Sequence, residues 1–123
     1  MEIRTVIVAA LFAASSTTSA QHAASFVEAQ NIYNYQSKDA STKAYAETWS
    51  EFNNAHHLDE KDGCYAKAGG SLVQILEIDK TGKVIAYFAD KSNGRSRCWR
   101  KTYLGVIFPA PPFAPYFHRL AMD

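Results

Sequence analysis

Four histidines, two cysteines and one run of cations carry whatever chemistry this sequence can do. His56 and His57 stand beside Asp59, and His118 lies far downstream; these are the evident metal-ligand candidates. A zinc site draws three or four ligands at fixed spacing, such as two histidines four apart on one helix face, whereas adjacent histidines point to different sides. The pattern reads as exposed or capping histidines, and neither a metal nor another cofactor is expected. There is no Gly-x-Ser-x-Gly elbow, no phosphate-cradling glycine loop and no convincing acid pair, so catalysis has no constellation to rest on and the chain reads as a non-enzyme.

The cations are more telling. Lys91, Arg95, Arg97, Arg100 and Lys101 fall within eleven residues without one acid, interleaved with Trp99 and Tyr103. With a formal net charge of only +1, the whole chain has no field to gather nucleic acid, so this patch points to an acidic protein surface or an anionic envelope polymer. The same pattern also suits a solvated helix face whose Lys and Arg stems cover Trp99.

The chain's start suggests where such a patch would operate. Arg4 precedes an apolar run from Val6 to Ala14, and a small-residue stretch then ends at Ala20, with Thr18 and Ala20 at signal-peptidase spacing. The run is about half of the roughly 20 residues a membrane anchor needs, so residues 1–20 read as a signal cut near Ala20/Gln21. The mature chain is expected in the periplasm or secreted, without stable membrane insertion. In that oxidising compartment the only two cysteines, Cys64 and Cys98, are expected to form a disulfide.

The elements that must position these groups are legible in the remaining 103 residues, enough for one small domain. Residues 21–38 have weak periodicity and read as an arm or a short helix. After Asp39, a helix-capping residue, Tyr45, Trp49, Phe52 and His56 recur on one helical stripe. Residues 58–63 are charged and loop-like. Two β-rich runs, Ser71 to Asp79 and Lys83 to Asp90, flank a turn in which Gly82 supplies positive φ, a hairpin pattern. Strict alternation groups Val84, Ala86 and Phe88 on one face, opposite Ile85, Tyr87 and Ala89. Both faces are partly apolar, so the sheet should be covered on both sides or used for contact. Ser92-Asn93-Gly94 starts a second helix that ends near Gly105 and carries Cys98. Pro109 to Pro115 must be extended, with Phe108 and Phe113 expected in the core, and Tyr116 to Met122 alternates like a third strand.

In this order of elements the stretch from Tyr65 to Met122 resembles the C-terminal domain of TonB-type proteins. The resemblance rests on Gly70-Ser71-Leu72-Val73, on Ile78-Asp79-Lys80-Thr81-Gly82-Lys83-Val84 at the family's hairpin, and on Phe108-Pro109-Ala110-Pro111-Pro112. It implies an α+β fold over residues 39–123, with a small three-stranded antiparallel sheet packed by two helices. It also implies a non-catalytic, Gram-negative periplasmic module that grips a partner protein by pairing an exposed strand with an extended segment. Tyr116, His118 and Leu120, on the last strand, are then expected binding residues beside the five cations. The same edge would serve a homodimer. A small inhibitor or immunity protein that occludes a toxin or hydrolase fits the size, export signal and disulfide equally well.

Overall fold

The computed structural model describes residues 21–123, so the export signal expected over residues 1–20 lies outside the described residues. The elements are α1 (Phe26–Gln36), α2 (Ser41–Ala55), a 3-10 turn (Cys64–Ala66), β1 (Leu72–Ile78), β2 (Val84–Ala89), α3 (Gly94–Tyr103) and β3 (Tyr116–Met122). The fold is α+β, with one antiparallel sheet in the order β2-β1-β3. No helix among the described residues is long and apolar enough to cross a membrane.

Local chemistry explains the boundaries. Asp39 accepts hydrogen bonds from the Ser41 N–H (2.9 Å) and hydroxyl (2.7 Å), fixing the entry to α2. Asn93 and Ser96 form a reciprocal capping box at the start of α3, satisfying N–H groups that would otherwise lack partners. In the hairpin turn the Asp79 carboxylate accepts from the Thr81 hydroxyl and from the Thr81 and Lys83 N–H groups, which holds its pKa below the usual carboxylate range. Gly82 is required there twice over. Its φ is +97°, and a Cβ would fall 1.9 Å from the Phe108 carbonyl oxygen.

One expectation from strict alternation is corrected. The β1–β2 register slips between Glu77 and Ile78, so that Ile78 opposes Val84 while Leu76 opposes Tyr87. This bulge places Val84 and Tyr87 in the same core and sends Phe88 to the other face.

The sheet is covered on both faces. On one, Leu72, Leu76 and Ile78 pack with Trp49 of α2, Trp99 and Tyr103 of α3, and Phe108 of the connector. Trp49 is the centre of that core, its ring stacked 4.6 Å from Phe108 and 4.0 Å from His118. On the other face, Ile75 and Phe117 meet Ala29 of α1, which is fully buried. Residues 21–38, expected as an arm or a short helix, thus contribute a third packed helix, capped by Ser25, whose hydroxyl accepts from the Glu28 N–H. Glu77, a carboxylate buried on this face, pairs with His22.

Cys64 and Cys98 are bonded, with an S–S distance of 2.05 Å. The bridge joins the turn before the hairpin to the middle of α3, clamping helix to sheet.

Candidate functional site

The site begins with the exposed edge of a sheet. Among the described residues β3 pairs only with β1, so its other side carries backbone N–H and C=O groups with no described strand opposite. Direction is fixed by one contact: the Phe117 N–H donates to Gln36 Oε1 (3.0 Å) and so faces away from β1. With the two-residue period of a strand, the backbone groups of Arg119 and Ala121 face outward as well, and those of His118 and Leu120 face β1.

Gln36 closes the first rung of this edge. Its side-chain amide also donates to the Pro115 carbonyl at 2.8 Å, so one carboxamide at the end of α1 imitates the donor and acceptor of a neighbouring strand. Beyond it the edge opens into a groove of about 220 Å³ between α1 and α2, lined by Tyr33, Gln36, Thr42, Lys43, Ala46 and Arg119 among others. Such an arrangement can seat an extended segment, with main-chain hydrogen bonds on one side and a helix against each face.

The expected binding side chains on β3 divide sharply. Tyr116 is 3% exposed, edge-on to Tyr45 at 4.7 Å, and burial pushes its hydroxyl pKa up to about 12. His118 is 6% exposed against Trp49, and burial lowers its pKa to about 3, so it is neutral. Leu120 is half-buried beside the same core. Tyr116 and His118 therefore position the strand, and what the edge offers outward is backbone together with the exposed Arg119 and Ala121.

The five cations around α3 also divide. Arg95 is committed to the fold: its guanidinium donates to the carbonyls of Tyr65, Lys67, Gly70 and Asp123. Lys91 Nζ donates to the Ser71 carbonyl at 2.8 Å. Arg97, Arg100 and Lys101 are exposed, and with Lys67 they line a depression of about 640 Å³ beside Cys98. Asp62 borders it, accepting from the Thr102 hydroxyl at 2.6 Å.

No group of three or more His, Cys, Asp or Glu side chains gathers to hold a metal among the described residues. His56 instead stacks on Phe52, with ring centroids 4.1 Å apart, and bonds the Phe52 carbonyl. Compared with known proteins, the chain matches no family model, no curated protein and no solved structure. Gln36 and Arg119 carry much of this geometry, and sequence reasoning passed over both. An unpaired Arg at an outward position of a terminal strand was the one available signal for Arg119. For Gln36, whose contacts lie 79 and 81 residues away, there was none.

Proposed function

We propose that the chain is an exported, non-catalytic protein-binding module, similar to TonB C-terminal domains, which adds an extended segment of a cell-envelope partner beside β3. The observation that carries this reading is the outer edge of β3 past Gln36, where Arg119 lines the groove between α1 and α2 and the strand continues through exposed Ala121. The order of hairpin, helix, connector and final strand supports the likeness, and the Cys64–Cys98 bond suits an oxidising compartment.

The test follows from the direction of the N–H groups. Proline at His118 or Leu120 would remove a bond to β1 and damage the sheet, but Arg119→Pro removes an outward donor from an edge strand, where proline is tolerated. In affinity capture from periplasmic extract, a stoichiometric partner should bind Arg119→Ala, which keeps the backbone donor, and bind Arg119→Pro at least about tenfold more weakly. A partner held equally by both variants rules out pairing at this edge. Gln36→Ala, which frees the blocked rung, should tighten the same complex.

A further inference from the structure

The other edge of the sheet, at β2, has a different character. Its outer side is met by the chain leaving α3: the Val84 N–H donates to the Val106 carbonyl, the Gly105 N–H donates to the Val84 carbonyl, and Lys83 pairs with Ile107. These bonds bring three exposed aliphatic residues to one rim, Ile85 (42% exposed), Leu104 (39%) and Ile107 (60%). Three of the six large apolar residues exposed among the described residues thus lie on adjoining backbone.

Cations lie along the α3 side of that rim, Arg100 resting over the Tyr87 ring at 5.6 Å. Arg97, Arg100, Lys101 and Leu104 fall at i, i+3, i+4 and i+7 and so form one outward stripe of α3, running from the basic depression to the aliphatic rim. Lys83 stands at the rim itself. Between Lys91 and Met122 there are six cations and no acid, whereas the other described residues carry six cations and eleven acids. Three carboxylates lie nearby and are held by neutral donors, Asp62 by Thr102, Asp79 within its own turn and Asp90 by the Val73 N–H; they offset part of the positive charge, and the cations outnumber them. The His22–Glu77 contact lies on the opposite face of the sheet.

Exposed aliphatic tips with Lys and Arg alongside suit an anionic lipid surface. The apolar groups enter the headgroup boundary while the cations meet phosphate, and neither feature alone gives stable attachment. An acidic protein surface would meet the same cations; lipid is favoured because the tips and the cations lie along one exposed edge, the arrangement a headgroup boundary accepts. We propose that the rim formed by Ile85, Leu104 and Ile107, with Arg97, Arg100, Lys101 and Lys83, docks the protein on the surface of a bilayer rich in anionic phospholipid. The docking is peripheral, through one edge of the sheet. It leaves β3, at the opposite edge, turned away for a partner.

Vesicle co-sedimentation tests this, using oxidised protein recovered from cells that export the full chain, its N-terminus read by mass spectrometry. Binding is expected to phosphatidylglycerol-containing vesicles, at least about tenfold above phosphatidylcholine vesicles, and to weaken in about 1 M salt. Arg100→Gln with Lys101→Gln should lower partitioning about 25-fold, at about fivefold for each cation. Leu104→Ser with Ile107→Ser should lower it about tenfold or more, with the thermal midpoint near that of the parent because both side chains are already exposed. Arg119→Pro, on the far edge, should bind vesicles unchanged. Equal partitioning onto neutral and anionic vesicles would overturn the proposal. So would a Leu104→Ser/Ile107→Ser protein that binds like the parent, since the face would then be a polyanion surface without lipid contact.

Discussion

Acidification to about pH 4.5 is expected to cost the protein about 2.7 kcal/mol of stability through His118 alone. The imidazole lies between β3 and α2, 6% exposed and stacked on Trp49, and burial lowers its pKa from 6.5 to about 3. In the unfolded chain it returns to its ordinary value. The unfolded state therefore binds a proton that the folded state refuses as pH falls below about 6.5. The stabilisation is complete above that pH and declines by about 1.4 kcal/mol for each unit until the folded group titrates near pH 3. Urea unfolding at a series of pH values measures this directly. His118→Leu keeps an apolar group of similar size against Trp49 and should flatten the slope between about pH 6.5 and 4.5. Equal slopes for the parent and His118→Leu would mean that the histidine is hydrated and protonates freely in the fold. The strand at stake is the one that presents the proposed binding edge, so capture of a partner should fail over the same interval.

What was legible in the sequence follows the range of the forces involved. The hairpin, α3 and β3 were readable because their signals are local: Gly82 in a turn, Asn93 ahead of a helix, and alternation from Tyr116 to Met122. The Cys64–Cys98 bond was legible from the count of two cysteines together with the expectation of export. The helix α1 was not plain, because exposed Val27 and Tyr35 blur a stripe that consists of little more than Phe26, Ala29 and Tyr33. The faces of β2 were misassigned after Val84 because a bulge depends on the partner strand, and period-two counting cannot see one. At the candidate site the difficulty was different. Five cations look alike in a line of letters, but backbone carbonyls brought near Arg95 and Lys91 by the fold commit those two, while Arg97, Arg100 and Lys101 remain exposed. Ile85, Leu104 and Ile107 are unremarkable until the β2 edge gathers them.

Loss of the disulfide should cost about 3 to 4 kcal/mol, a large part of the roughly 5 to 15 kcal/mol available to a domain of this size. Cys64 and Cys98 are 34 residues apart, and opening that loop restores conformational freedom to the unfolded chain. The folded geometry should nevertheless persist, because other contacts hold the same elements together. The Trp99 Nε1–H donates to the Asp59 carbonyl at 2.9 Å, the Thr102 hydroxyl to Asp62, and Arg95 to the carbonyls of Tyr65, Lys67 and Gly70. Cys64→Ala with Cys98→Ala should thus show a native circular dichroism spectrum, a lower urea midpoint and a larger dependence on denaturant, since its unfolded state exposes more surface. Reduction of the parent by dithiothreitol should match it. A midpoint unchanged in both would show that the bridge restrains little in the unfolded chain, and the clamp on α3 would then belong to Arg95 and Trp99. A double variant that folds but no longer binds anionic vesicles would instead show that the bridge sets the angle at which α3 presents Arg97, Arg100 and Lys101 to the rim.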